Sequence, residues 1–363
     1  MRRKTRFVCV SDTHGYTPYE AGFKLPTGDV LIHAGDLTNN GSLKELRKTM
    51  DWISKADFEI KILVGGNHDV TLDPAFYGEH GQSFHGQQLE DSQHCLKLIT
   101  ESPSVLLLNH EHALIRLTRA DGPNTIFKIF GSPYSQFQGN WAFGYESCDA
   151  AELWSLIPID TDIVITHTPP KSHCDQKPNG MFVGCDALRS ALSFIRPHLV
   201  ICGHVHEGRG YERVRWRGEL TSAETETETQ AKYASVDCIT HGILPPVGSK
   251  KQSLVDLTGK RGPRLDNEGF SHLGQRQHDL PPVTRAMSTA SPWSGSRAGV
   301  PEKASPRNLR NTYPSLGAGR PNSSIRGFDY ALQSLRKESC IVNAAVVATS
   351  WPHQGANGLI RRL

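Results

Sequence analysis

Five short polar clusters each follow a run of β-branched or apolar residues, and this pairing is the strongest constraint on the fold. The runs are Phe7-Val8-Cys9-Val10, Val30-Leu31-Ile32, Ile60-Lys61-Ile62-Leu63-Val64, Ile163-Val164-Ile165 and Leu199-Val200-Ile201-Cys202. Such runs are typical of buried β-strands. The clusters that follow are Asp12-Thr13-His14-Gly15, Gly35-Asp36, Gly66-Asn67-His68-Asp69, His167 and Gly203-His204-Val205-His206. Because functional groups of open α/β sheets gather outside the carboxyl ends of the strands, the five clusters are predicted to meet in one crevice.

Strand and helix signals alternate along the first 216 residues. Strands are predicted at 6–11, 29–33, 59–64, 105–108, 112–118, 125–130, 162–166, 199–202 and 211–216, and helices at about 42–55, 89–100, 149–156 and 185–195. Ser42, followed at the third position by Glu45, has the capping-box pattern of a helix start. This order predicts an α/β protein, a four-layer α-β-β-α sandwich of two mixed β-sheets flanked by helices.

The residue types of the five clusters suit a pair of divalent metal ions. Two such ions about 3.5–4 Å apart clamp a phosphoryl group and provide a bridging hydroxide for in-line attack. An anionic oxygen shared between the ions is needed, and Asp36 is the candidate. The hypothesis places Asp12, His14 and His206 on one metal and Asn67, His167 and His204 on the other. Mixed imidazole and oxygen sites suit Mn, Fe or Zn.

His68 is left over from this ligand set. A protonated imidazole beside a ligand would stabilise the charge of the transition state and protonate the leaving oxygen, so His68 is the candidate general acid. Asp69 is the second candidate catalytic residue, which would orient His68 or stabilise its charge. An exposed turn carboxylate that caps the next segment is an alternative for Asp69.

Each oxygen donor, taken alone, has an ordinary structural explanation. Asp12, Asp36 and Asn67 follow strands, where Asp and Asn also form turns and cap helices. Only their combination with four histidines at the right spacing favours a metal centre.

In this order, the D-x-H, G-D, G-N-H-D, lone H and G-H-x-H motifs resemble the calcineurin-like metallophosphoesterase superfamily. The resemblance implies the same seven ligands, with His68 as the acid. Gly131-Ser132-Pro133-Tyr134, Asn140-Trp141-Ala142-Phe143, Thr166-His167-Thr168-Pro169-Pro170 and His206-Glu207-Gly208-Arg209-Gly210 are similar to the MPPED-type class III phosphodiesterases. The similarity covers roughly residues 5–215 and resumes at 341–344. It implies a phosphodiesterase that acts on cyclic nucleotides or simple aryl phosphoesters.

The composition changes between residues 217 and 337. Prolines, glycines and a Thr-Glu alternation at 224–229 replace the strand and helix patterns, so most of this stretch is predicted to be a disordered insertion. An apolar run returns at Cys340 and predicts a further strand of the core. The metallophosphoesterase domain is therefore predicted to comprise 5–216 and 338–350, with a C-terminal tail at 351–363. Within the insertion, 253–262 is either a partner-binding motif or, as we favour, a local turn.

The composition limits the kinds of partner expected for the chain and indicates its cellular compartment. The chain has 40 basic and 37 acidic residues, a net charge of +3, and nothing that suggests an obligate nucleic-acid partner. It has eight cysteines and no C-x-x-C pair, which favours a reducing compartment. No run approaches the apolar length of a membrane span. An intracellular, cytoplasmic protein without a membrane partner is expected.

The sequence says least about the substrate. Trp141, Arg209 and Lys171 are candidates to stack a base and pair a phosphate of a small phosphoester or nucleotide, although an ordinary packed aromatic loop fits Trp141 equally well. Two functions remain open. One is a metal-dependent phosphodiesterase; the other is a metal-binding scaffold of the same fold that holds a protein partner through the insertion. The intact ligand set favours the enzyme.

Overall fold

The structure is a computed structural model that describes residues 4–137, 139–217, 236–242, 254–260, 262–267, 282–285 and 336–346. The described helices are α1 (Leu43–Lys55), α2 (Pro74–His85), α3 (Ser92–Thr100), α4 (Ala150–Ser155) and α5 (Asp186–Ile195). The described strands are β1 (Phe7–Val10), β2 (Val30–Ala34), β3 (Ile60–Val64), β4 (Val105–Leu107), β5 (Glu111–Arg116), β6 (Ile126–Ser132), β7 (Ser135–Gln136), β8 (Gly144–Tyr145), β9 (Ile163–Thr166), β10 (Leu199–Cys202), β11 (Gly210–Trp216), β12 (Val236–His241), β13 (Val283–Arg285) and β14 (Glu338–Asn343).

Two sheets form the centre of the fold. The first has the order β1-β2-β3-β4, and its strands are all parallel. The second has the order β12-β11-β14-β10-β9-β6-β5-β13 and is mixed, with β6, β9, β10 and β14 parallel to one another. β7 and β8 form a separate short pair.

Alternating side chains of the strands build the four layers. Ile32 of β2 and Ile165 of β9 belong to the apolar cluster between the two sheets. Leu31 points the other way and packs with residues of α1 and α3, whereas Val164 packs with residues of α4 and α5. Strands that are buried on both faces read as continuous apolar runs. The predicted α-β-β-α sandwich is therefore confirmed.

Helix α1 forms where its cap was predicted. Ser42 accepts a hydrogen bond from the backbone N–H of Glu45, and the Glu45 carboxylate reaches back to the Ser42 backbone N–H.

Helix α2 was not predicted. Only Tyr77 and Gly81 of this helix are fully buried, so its apolar periodicity is weak. The available signal was Asp73 before Pro74, a helix cap followed by a proline at the first helical position.

Segments of the predicted insertion take part in the core. β12 pairs with β11, β13 pairs with β5, and Val255 and Leu257 pack against the apolar cluster between the sheets. These segments bury apolar side chains and lie at sheet edges, so they belong to the minor part of the insertion for which no disorder was predicted. Residues 218–235, 243–253, 261, 268–281 and 286–335 of this stretch, and residues 347–363 with the predicted tail, lie outside the described residues.

The strand predicted after the insertion lies inside the second sheet. β14 runs parallel to β10 and antiparallel to β11, and Cys340 and Ile341 are fully buried. Among the described residues, no helix is both long and apolar enough to cross a bilayer.

Candidate metal centre

The five polar clusters meet at the carboxyl ends of β1, β2, β3, β9 and β10. Four donor residues in this crevice have left-handed backbone conformations, with φ of 55° at Asp12, 46° at His14, 52° at Asp36 and 64° at His204. Such conformations cost roughly 1–3 kcal/mol each and persist only where the surroundings fix them. Part of that support comes from the Asp12 backbone N–H, which donates to the carbonyl of Gly35 at 2.9 Å.

Glycines allow these loops to pack against the donors. A Cβ at Gly203 would lie 2.2 Å from Oδ2 of Asp12, and one at Gly66 would lie 2.3 Å from Oδ1 of Asp36. Both distances are far inside van der Waals contact. The glycines of the G-N-H-D and G-H-x-H motifs are therefore required by the close approach of the backbone to the carboxylates.

One group of donors consists of Asp12, His14 and His206. Nε2 of His206 lies 3.3 Å from Oδ1 of Asp12 and 3.3 Å from Nε2 of His14. Asp12 and His14 are buried, and His206 is half-buried. The ligand atoms of the three residues lie within 4.8 Å of one another, which is close enough to hold one ion.

A second group surrounds Asn67. Its Oδ1 lies 2.9 Å from Nε2 of His167 and 2.9 Å from Nδ1 of His204. Asp36 lies between the groups, with Oδ1 3.4 Å from Nε2 of His167 and Oδ2 3.7 Å from Nε2 of His14. The two oxygens of Asp36 thus face different groups of donors, as the bridging hypothesis requires.

His167 is already oriented by a backbone carbonyl. Its Nδ1 lies 3.0 Å from the carbonyl oxygen of Ala34, which can only accept, so Nδ1 carries a proton and donates it. Nε2 is then the atom turned toward Asp36 and Asn67. Metal-binding histidines almost always donate their second N–H in this way.

Burial and mutual charge shift the pKa values of these groups. Burial would raise the pKa of Asp36, but the neighbouring imidazoles, His167 first, hold it well below its usual range. Burial opposes protonation of His167, yet the Asp36 carboxylate raises its pKa to about 9. Burial lowers the pKa of His14 to about 4 and that of His204 to about 3. His14 and His204 are therefore neutral imidazoles at neutral pH, the form that binds metals.

The donor chemistry fits divalent cations. Two buried carboxylates, an amide oxygen and four imidazoles converge in one crevice, and ions held there would neutralise carboxylates that desolvation otherwise penalises. The mixture of oxygen and nitrogen donors suits Mn, Fe or Zn over Ca or Mg.

His68 lies at the edge of this cluster. Its Nδ1 donates to the carbonyl oxygen of Asn39 at 2.6 Å, and its ring lies against Trp141 with 4.1 Å between the ring centroids. Ligand atoms of His68, His14 and Asp36 also lie within 4.8 Å of one another, so the geometry alone permits His68 to be a ligand as well.

Asp69 lies in the interior of the protein beside the candidate metal centre. It is fully buried, and its carboxylate accepts hydrogen bonds from the backbone N–H groups of Leu37, Thr38 and Gly66 at 2.8–3.1 Å. It is not an exposed turn carboxylate. These contacts join the loop of Asp36 to the loop of Asn67, while the carbonyl of Asn39 orients His68. Burial, followed by the charge of Asp36, raises the pKa of Asp69 to about 6.

A cleft of about 220 Å³ opens beside the donors. Its lining consists of Asn67, His68, Ser135, Gln136, Phe137, Trp141, Ala142, Gly144 and His204. Trp141 therefore lies in the lining of the cleft, next to the candidate acid His68. Arg209 and Lys171 are exposed and are not part of this lining.

Three contributors escaped the sequence reasoning. Asn39 acts through its backbone carbonyl, which no side-chain motif reports. Ser135 and Gln136 enter the cleft because β7 pairs with β8, and two-residue strands are too short to give a periodic signal. Only the neighbouring aromatic residues of 134–143 pointed to this loop.

The sequence profile of the family described as calcineurin-like phosphoesterases matches residues 5–208. This match spans more than half of the chain. The protein belongs to the calcineurin-like phosphoesterase family. Asp and His groups of the described site, among them Asp12, His14 and His206, lie close enough together to hold a metal ion.

Several relatives share the domain. The chain is 37% identical over 222 residues to "Metallophosphoesterase domain-containing protein 1" of Homo sapiens, covering 57% of this chain and 62% of that protein. It is 38% identical over 223 residues to "Probable rhamnogalacturonate lyase C" of Emericella nidulans, covering 60% of this chain and 19% of that protein. A UPF0046 protein of Caenorhabditis elegans is 31% identical over 258 residues, with 69% and 84% covered. The chain thus spans less than two thirds of the first two relatives.

Proposed function

We propose that this family member is a phosphodiesterase for a small substrate such as a cyclic nucleotide, and that it works with two divalent metal ions. One observation carries the proposal: Asp36 faces two groups of donors, one at Asp12 and one at Asn67, with an oxygen toward each. Two ions so placed would supply a Lewis-acid clamp for the phosphoryl group and an activated water. Asp12, His14 and His206 would hold one ion, and Asn67, His167 and His204 the other.

The protein groups divide the remaining work. Neutral His14 and His204 offer lone pairs without first losing a proton. Ala34 holds His167 in the ligating tautomer. His68, oriented by the carbonyl of Asn39, donates a proton from Nε2 to the leaving oxygen. A positioned general acid contributes about 10²–10⁴-fold in rate.

The cleft supports a substrate with a flat, apolar part. Trp141 and Phe137 provide aromatic surface, and Ser135 and Gln136 provide hydrogen-bonding groups. A base or aryl ring would lie on Trp141 while the phosphate reaches His68. Arg209 and Lys171 would contact only a substrate that extends beyond the lining.

The cysteines of the chain support a proposal about its cellular location. Seven described cysteines are free thiols, which supports an intracellular, reducing location such as the cytoplasm.

The name of the Emericella nidulans relative does not bear on the reaction, because the match covers 19% of that protein. A protein partner bound through residues 217–337 is the remaining alternative function.

The test is an assay of the purified chain with Mn²⁺ and with chelator against cyclic nucleotides, aryl phosphodiesters and aryl phosphomonoesters. We expect Mn²⁺-dependent hydrolysis that chelator abolishes, with diesters preferred. Preference for monoesters would contradict the phosphodiesterase proposal. Metal binding without hydrolysis of any of these substrates would favour the scaffold.

A further inference from the structure

The segment after the insertion forms hydrogen bonds to backbone groups that lie next to the candidate metal centre. Residues 343–346, which we call the clasp, continue from the end of β14 and cross from the second sheet to the first. The backbone N–H of Ala344 donates to the carbonyl of Cys202 at 2.8 Å, and that of Val346 donates to the carbonyl of Ser11 at 3.0 Å. Cys202 and Ser11 directly precede the loops of His204 and Asp12.

The side chain of Asn343 is the centre of the clasp. Its Nδ2 donates to the carbonyl of Val205 at 2.8 Å and to that of Cys174 at 3.0 Å, and lies 3.5 Å from that of Gly203. Its Oδ1 accepts from the backbone N–H of Ala345 at 3.1 Å. Asn343 is 2% exposed, so these bonds are formed without competition from water.

The acceptors flank strained ligand positions. Gly203 and Val205 enclose His204, whose φ is 64°, and His206 follows directly. Cys174 has a φ of 53°, and its backbone N–H donates to the buried carboxylate of Glu212 at 3.1 Å. Left-handed conformations of this kind relax unless the surrounding structure fixes them.

We infer that Asn343 is a positioning residue for His204 and His206, and that the clasp couples the segment after the insertion to metal binding. The inference rests on the proposed function of these histidines as ligands. These hydrogen bonds of the Asn343 side chain go to backbone groups and not to the imidazoles themselves. It fixes the carbonyls on both sides of His204, while Ala345 and Val346 fix the strand end that carries Asp12.

Asn343→Asp tests this with little change of volume. It replaces the donating amide by an oxygen that faces the carbonyls of Val205 and Cys174, so the loop is repelled instead of held. Loss of an outer contact of a metal site typically costs about 10–100-fold in metal affinity. We therefore expect the dissociation constant of Mn²⁺, measured by calorimetry, to rise by that factor. Added Mn²⁺ should then restore activity.

Asn267→Asp is the matched control. Asn267 is also buried, and its Nδ2 donates to the carbonyl of Glu338 at 2.8 Å, at the opposite end of β14. A purely structural effect would weaken Mn²⁺ binding equally in both variants. We expect only Asn343→Asp to do so. Asn343→Ser, which removes the donors without adding a charge, serves if Asn343→Asp does not fold.

The outcomes separate the two proposals. If the unmodified chain does not bind Mn²⁺, the proposed metal centre is wrong and the role of Asn343 falls with it. If the unmodified chain binds Mn²⁺ and the Asn343 variants bind it equally well, or no worse than Asn267→Asp, the positioning role alone is overturned.

Discussion

At the residue scale, the candidate metal-binding side chains depend on neighbouring backbone groups and buried hydrogen bonds that no motif marks. Asp12, Asp36 and His167 could be predicted because each ends a strand, and strand ends meet at one edge of a sheet. The carbonyl of Asn39 and the buried bonds of Asp69 could not, since a backbone carbonyl has no sequence signature and an Asp in a turn looks the same whether buried or exposed.

Substituting Asp36 by Asn tests the bridging carboxylate. The variant removes a charge whose oxygens face both groups of donors, so we expect loss of bound metal and of activity. Asp29→Asn is the control, because Asp29 is also buried but lies just before β2, whereas Asp36 lies beyond its end. Elemental analysis that finds the same metal content in Asp36→Asn as in the unmodified chain would show that Asp36 does not bridge.

Substituting His68 by Ala separates acid catalysis from metal binding. We expect the variant to retain its metal and to lose about 10²–10⁴-fold in rate on substrates with poor leaving groups, and less on good ones. His80→Ala, on the partly exposed face of α2, is the control. Loss of metal in His68→Ala would instead assign His68 as a ligand.

At the element scale, strong periodicity and explicit caps decided what was predictable. α1 was found from Ser42 and Glu45, whereas α2 was missed because its core face is small. The Glu45 side chain of this capping box also makes contacts that the sequence does not predict. The Glu45 carboxylate also accepts from the backbone N–H groups of Asn39 and Asn40, at 3.3 and 3.4 Å, and so supports the loop that orients His68.

Glu45→Ala is therefore expected to affect both the helix and the acid. Loss of the capping interaction should cost about 1 kcal/mol in the free energy of unfolding. The rate should fall more for poor leaving groups than for good ones, as for His68→Ala but by less. Asp51→Ala, which removes an exposed ion pair with Lys55 on the same helix, should change the stability by less than about 0.5 kcal/mol. A rate loss independent of the leaving group would contradict the link to His68.

At the scale of the whole molecule, Arg336, which lies two residues before β14, stabilises the fold through buried hydrogen bonds to the residues just before β9. Arg336 is fully buried and donates to the carbonyl of Thr161 at 2.6 Å and to Asp162 at 2.8 Å. Arg336→Ala should cost toward the lower end of about 3–5 kcal/mol in urea unfolding, because Asp162 keeps some contact with water. Arg119→Ala breaks the exposed pair with Asp57 and should cost about 1 kcal/mol or less. Equal losses would show that burial of Arg336 adds nothing.

Composition could not reveal which parts of 217–337 belong to the core, because pairing with a sheet edge depends on distant strands. The structure allows the two kinds of segment to be separated by deletion. Replacing 217–337 as a whole by a Gly-Ser link removes β12, β13 and Arg336, and removes Asp266, whose carboxylate lies 2.9 Å from Nη1 of Arg215. We expect that variant to be destabilised and to lose activity.

Replacing only 286–335 keeps all of these contacts. The sheet order β14-β10-β9-β6-β5-β13 places Arg285 five strand spacings from β14, so the link must cross roughly 24 Å. A Gly-Ser link of about 20 residues has an end-to-end distance of roughly 22–27 Å and spans this gap. Because closing a surface loop of this length costs little, we expect the urea midpoint and the Mn²⁺-dependent rate to match those of the full chain. If both deletions match it, β12, β13 and Arg336 add nothing to the fold; if both fail, 286–335 contains a part that the core requires.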